Sequence, residues 1–315
     1  MNTVYFLVQQ TMFFSIPLLI VALGGMFSER SGVVNIALEG IMIMGAFSSI
    51  LFINIVQSSG AALPPQLLLL LAVLIAAAVG VLVSMAHAYA SINMKADQVI
   101  SGTAINMFAP AFAIFAARMI RSVQQIPFSN TFRITKVPVL GDIPVLGPLL
   151  FQNTYITTYL GFAVLAVSAV VLYKTRFGLR LRACGEHPAA CDTLGINVLG
   201  IRFFSVCMSG FLAGLGGASV TMATMNQFRP TSIVGQGFIA IAAVIFGKFR
   251  PQGAMWACLL FGMCSGLKIV LGSSNVVSAQ LISMIPFVVT VIVLILFVGR
   301  SQVPAANGKP YIKSK

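Results

Sequence analysis

Apolar residues gather in long runs along nearly the whole chain, separated by short stretches rich in Gly, Pro, Lys and Arg. Strand-like alternation is absent, and most runs are apolar all the way round rather than along one helical stripe. A mostly apolar stretch of about 18 residues or more can cross a bilayer as helix, since a helix satisfies its own backbone in hydrocarbon. The runs predict helices near 8–27, 33–56, 63–91, 98–119, 154–173, 201–224, 233–247, 251–272 and 277–298. The 233–247 run is short for a full crossing and predicts a broken or partial span. The fold class is therefore all-α, a polytopic transmembrane bundle of about nine spans forming one domain over residues 1–315.

Composition points the same way. Of 315 residues, 58% are hydrophobic and only 8% charged, whereas soluble domains carry about 25% charged residues. The net charge of +13 does not imply nucleic acid as a partner, because the basic residues sit in short segments between apolar runs. There they act as a topology signal and attract the anionic headgroups of membrane lipids. Residues MNTVYFLVQQ carry no basic n-region, so the first helix is expected to stay in the mature protein. Cys184, Cys191, Cys207, Cys258 and Cys264 have neither metal-ligand nor disulfide spacing and are expected to pack as small hydrophobes.

Lys and Arg also set the orientation. Thirteen of the nineteen fall on one face, including Arg30, Lys95, Lys174, Arg176, Arg180, Arg182, Arg202, Lys248 and Arg250. That face is expected to be cytoplasmic, which places the N-terminus outside and the tail 299–315 inside. A long connection over 120–153 lies outside and, being rich in Pro and Gly, is expected to fold over helix ends. The connection 174–200 is the longest polar stretch on the cytoplasmic side. Within it, Pro188 suits the first turn of a short helix and Gly195 its end, which would leave Ile196 as an exposed apolar knob for a soluble partner. A weak internal repeat is also visible. Leu23-Gly24-Gly25 leads to VVNIALEGIMIMGA (33–46), and Leu215-Gly216-Gly217 leads to IVGQGFIAIAAVIFG (233–247), with opposite directions through the membrane.

Enzyme chemistry finds little support. Gly247-Lys248 is followed by Phe249, which breaks a phosphate-binding loop, and His87 and His187 form no metal motif. No cofactor is expected on this chain. Six acidic residues leave little for a proton relay, although an ion-coupled transporter would need one. Glu39 is the acid set most deeply among apolar residues, with Asn35 four positions earlier on the same expected helix face. An ionised group in a span faces the protein interior or water. Glu39 either lines a pathway or pins a helix bend through hydrogen bonds. Asn106 and Asn226 either contact a polar solute or bond between helices. Glu29 and Arg30 are expected to form a solvated or paired helix end. The steps Gly210–Gly214, Gly214–Ala218 and Gly262–Gly266 have small-xxx-small spacing, which lets helices approach closely.

Three segments carry a resemblance. ERSGVVNIALEGIMIMGAF (29–47), DIPVLGPLLF (142–151) and RACGEHPAACDTLGINV (182–198) resemble the permease subunits of nucleoside and simple-sugar ABC importers. That larger group also holds the ribose and branched-chain amino-acid permeases. The resemblance runs along nearly the whole chain, with the motifs in order. It implies that 182–198 docks on a cytoplasmic ABC ATPase through Gly185, Glu186, Ala190, Asp192, Gly195 and Ile196. His187 stands where relatives often have Asn. Implied partners are that ATPase, which would bind ATP and Mg, a second and non-identical permease subunit, and an external or periplasmic solute-binding protein. The implied setting is the bacterial cytoplasmic membrane. Ribose permeases have ten spans, so nine would correspond to absence of the first. The solute implied is a purine or other nucleoside, with a simple sugar or riboflavin as alternatives.

Overall fold

A computed structural model describes residues 2–60, 63–138, 140–144, 147–272, isolated positions between 284 and 295, and 303–312. Ten α-helices lie in its continuous part: α1 (Asn2–Arg30), α2 (Leu38–Ser58), α3 (Pro65–Ala88), α4 (Gln98–Arg121), α5 (Ile156–Lys174), α6 (Arg176–Glu186), α7 (Pro188–Thr193), α8 (Val198–Thr224), α9 (Gln236–Phe246) and α10 (Pro251–Gly272). A π turn, Tyr89–Asn93, extends α3. Seven of the described helices are long and apolar enough to cross a membrane, and α9 belongs to a shorter apolar stretch. The expected span 277–298 falls almost wholly outside the described residues.

α8 is the axis of the bundle, packed by α1, α2 and α3. Small residues make this possible. Gly24 faces the Ser209 carbonyl and Leu212, while Gly216 faces Pro17 and Val21, so α1 and α8 run antiparallel. Gly210 and Gly214 meet Ser84, Gly80 and Ala76 of α3, and Gly45 of α2 meets Gly214. Gly262 and Gly266 of α10 lie against Ser15 and Thr11 of α1. In hydrocarbon, burying apolar surface gives helices no net drive to associate, so close backbone packing supplies much of the attraction. The small-xxx-small steps thus serve as helix seams.

The outer connection folds over helix ends as its composition suggests. Its strand β1 (Ile126–Pro127) pairs with β4 (Gln227–Phe228) beyond α8, and β2 (Ile134–Lys136) pairs with β3 (Gln152–Thr154). Asn54 and Gln57 at the end of α2 donate to the carbonyls of Pro127 and Ser129. Asn130 donates to the Met222 carbonyl near the end of α8. Asn226 lies in this exposed outer region, and its carbonyl accepts from Phe128 N–H.

One expected helix is cut short. The run 33–56 becomes helical only at Leu38, after a non-helical stretch from 31 to 37 in which Gly32 takes φ +93°. Asn35 is therefore not on a helix, and it shares no helical face with Glu39. The two repeat copies follow the same plan of long helix, break, then second helix, with Glu39-Gly40 and Gln236-Gly237 in the first turns of α2 and α9. The starts of α2 and α9 meet, for a Cβ on Gly237 would collide with the Glu39 backbone. From there α2 runs toward the outer connection, while α9 ends beside Arg30. With 11 residues, α9 is about 16 Å long and spans roughly half of the hydrocarbon core.

Candidate functional site

The break between α1 and α2 is buried, and its backbone groups find partners on other helices. Val34 N–H donates to Gln98 Oε1 at 2.7 Å. The Val34 carbonyl lies 3.3 Å from His87 Nε2, and Ser101 Oγ lies 2.9 Å from the other ring nitrogen. Because a carbonyl only accepts, the Nε2 carries the proton and Nδ1 accepts from the Ser101 hydroxyl. Asn106 spans the turn, donating to the Ile36 carbonyl at 2.8 Å and accepting from Gly40 N–H at 2.8 Å. Asn35 donates to Ser209 on α8 at 2.9 Å and accepts from Ala37 N–H. Irregular backbone at membrane depth persists only where such groups satisfy it. Asn35 and Asn106 are thus engaged in interhelical and backbone bonds, and the sequence had signalled neither Gln98, His87 nor Ser209.

Glu39 links this break to the half-span α9. It is 6% exposed, and its Oε2 accepts from Gly235 N–H at 2.7 Å. The N–H groups of Gly237 and Phe238 also bond the carboxylate. A helix leaves its first N–H groups unsatisfied and carries partial positive charge there. Glu39 supplies acceptor and countercharge together, in place of an N-cap side chain, which Gly235 lacks. The carboxylate is thus held by hydrogen bonds at the start of α9. The neighbouring Glu29 and Arg30 do not pair as a solvated turn. Glu29 is buried, and Arg30 donates to the Phe249 carbonyl at 2.8 and 3.1 Å beyond α9.

The α6–α7 elbow is the second candidate region. Thr175 caps α6 by accepting from Gly178 N–H. α7 starts at Pro188 and ends as the sequence predicts, at Gly195 with φ +75°. Ile196 N–H donates to the Cys191 carbonyl at 3.0 Å and Gly195 N–H to that of Asp192 at 2.9 Å, the paired bonds of a Schellman-type cap. Glu186, His187, Ala190 and Gly195 are exposed. Leu194 is the exposed apolar knob at 78%, whereas Ile196 is half-buried against Cys184, Cys191 and Val198. Gly185 is buried against the Arg30 carbonyl. Burial, with Cys191 beside it, pushes the Cys184 thiol up to about 12, so this pair packs rather than reacts.

A strap made by 303–312 ties the elbow to the break. Ala305 N–H donates to Glu186 at 3.2 Å, and Ala306 N–H to the Gly185 carbonyl at 2.9 Å. Gly308 N–H reaches the Gly32 carbonyl at 3.2 Å, and Tyr311 packs against the cluster of Cys184, Cys191 and Val198. Arg202 on α8, only 2% exposed, donates to the carbonyls of Ser31 at 3.1 Å and Lys309 at 3.0 Å. In sequence it counts merely as one more basic residue near a helix start. Its packing makes it the joint between break and strap. The strap and Arg202 thus connect the end of α6 to Ser31 and Gly32.

The comparisons with known proteins agree with this architecture. The chain is 45% identical to the guanosine ABC transporter permease protein NupQ of Bacillus subtilis, over 98% of this chain and 97% of that one. It is 42% identical to the nucleoside ABC transporter permease protein NupC of Lactococcus lactis, over 100% and 99%. A putative glucose ABC transporter permease protein of Haloferax volcanii, TsgC13, is 30% identical over 80% and 73%. No solved structure matches the chain. The family described as branched-chain amino acid transport system / permease component matches residues 7–294. A multi-pass helical bundle that aligns end to end with such permeases belongs to this family of ABC transporter permease subunits.

Proposed function

We propose that the chain forms the translocation pathway of an ATP-driven importer for nucleosides. The observation that carries the solute class is end-to-end similarity, at 42% and 45% identity, to permeases described for nucleosides and guanosine. In this reading the N-terminus is outside and the α6–α7 elbow faces the cytoplasm. An external binding protein delivers solute, a second, non-identical permease subunit completes the pathway, and separate ATPase subunits bind ATP and Mg. Glu39 is committed to the amides of α9, which leaves it poorly placed as the proton carrier of an ion-coupled transporter.

Uptake of labelled guanosine and glucose by cells with and without the gene tests the proposal. Loss of guanosine uptake alone is expected, with sensitivity to vanadate but not to a protonophore. Loss of glucose uptake alone would move the solute to the sugar reading, which the 30% identical relative favours. Protonophore sensitivity without an ATP requirement would replace the importer with an ion-coupled transporter.

The elbow supplies the contact that ATP needs, because a ligand shifts a conformational equilibrium only through differential interaction with its two states. Leu194 and Ala190 project from it without burying anything. Leu194→Glu is expected to lower uptake about tenfold or more, as loss of an interface anchor does. Membrane levels should hold and ATP hydrolysis should no longer respond to solute. Undiminished uptake would remove Leu194 from the coupling surface.

A further inference from the structure

α1, α9, α10 and the turn before α9 line a half-open cavity of about 320 Å³, within the range of small-molecule sites. Its apolar wall includes Phe14, Phe261 and Ile239, and its polar wall is Ser232, Gln236, Ser265 and Lys268. Among the described residues, no hydrogen bond or ion pair engages the side chains of Ser232, Gln236 or Lys268. Ser265 donates to the Phe261 carbonyl and keeps its lone pairs free. Polar side chains within or beside a span ordinarily find protein partners. Gln236 and Ser265, both half-buried, and the exposed Ser232 and Lys268 line one cavity with open bonding capacity and are placed for a polar solute.

We propose that this cavity binds the nucleoside during transport. The inference rests on the nucleoside reading above and assigns that solute a site. A nucleoside matches both walls. Its base offers an apolar face to Phe14 and Phe261 and an amide-like edge to Gln236, while ribose hydroxyls suit the serines and the Lys268 ammonium. A hydrocarbon chain would leave the polar wall unpaired, and a single lysine gives little neutralisation to a phosphate. The site is also wired to the conformational machinery. Gln236 stands between Gly235, which donates to Glu39, and Gly237, which rests on the Glu39 backbone. Solute held by Gln236 thus bears on the junction where α2 and α9 begin.

The test is competition in the complete transport system. Cells carrying wild type, Gln236→Ala or Lys268→Met would take up labelled guanosine against unlabelled guanosine, 2′-deoxyguanosine and inosine. Loss of one polar contact to solute is expected to weaken half-saturation about tenfold. It should also change the ranking of competitors, with Gln236→Ala altering discrimination between bases and Lys268→Met discrimination between riboses. A merely structural defect would lower all rates and leave the ranking intact, which would overturn the proposal, as would unchanged uptake in both variants. Absence of guanosine uptake by wild type would instead refute the nucleoside reading, and this assignment with it.

Discussion

Replacing Glu39 by Ala is expected to abolish transport and to destabilise the folded permease by about 2–3 kcal/mol, the scale of losing hydrogen bonds to a charged group. Three N–H groups at the start of α9 bond this carboxylate, and the side chain is buried. Water has no ready access to replace it. Alanine would strand the donors and leave the positive end of α9 without its countercharge. Glu39→Gln separates these effects, because the amide keeps an acceptor but loses the charge. Its expected loss is about 1 kcal/mol, near that of a neutral hydrogen bond. Thermal unfolding in detergent, followed alongside uptake, checks the series. Wild-type stability for Glu39→Ala would mean that α9 does not depend on the carboxylate. A stable Glu39→Gln protein without transport would show that charge at this junction matters beyond anchoring.

A second large effect is expected at the centre of the bundle. Gly214→Leu would drive a side chain into the Ala76 carbonyl of α3, where even a Cβ collides with backbone, and Gly80 lies beside it. A backbone carbonyl cannot rotate away as a side chain can. The helices must separate instead, and α8 would lose contact with α2 through Gly45 as well. Overpacking costs about 1–3 kcal/mol where side chains can adjust, and the expected loss here lies at or above the upper end. The readout is the yield of monodisperse protein extracted from membranes, expected to fall to near zero. Gly272→Leu serves as the control, since its Cβ would meet nothing within 4 Å among the described residues. A well-behaved Gly214→Leu protein would show that the α3–α8 seam tolerates separation.

The two variants probe different kinds of information in the chain. The Gly214 seam was legible from spacing alone, because closely approaching membrane helices need small residues one turn apart. The Glu39 anchor was legible only as an alternative between lining a pathway and pinning a bend. Its partner Gly235 lies 196 residues away, and no local pattern could choose between the readings. The elbow was intermediate. Pro188 and Gly195 announced α7, since one fixes a first-turn φ and the other accepts the left-handed conformation of a cap. Which apolar residue the cap exposes depended on how it packs. Cys184, Cys191 and Val198 draw Ile196 inward and leave Leu194 in the open.

Sequence by itself determined the membrane-spanning bundle, the placement of most spans, the short length of α9, the small-residue seams and the cap of α7. These follow from local constraints, either the hydrocarbon thickness or the conformational preferences of Pro and Gly. Tertiary structure decided that residues 33 to 37 are not helical, because VVNIALE carries no strong local signal to break a helix in mid-run. The break is stable only because Gln98, His87, Asn106 and Ser209 arrive from α4, α3 and α8 to satisfy its backbone. It likewise decided that Arg202 and the 303–312 strap join the elbow to this break. A backbone group in a nonpolar interior must be paired, and whether its partner is local or distant is settled only when the helices meet.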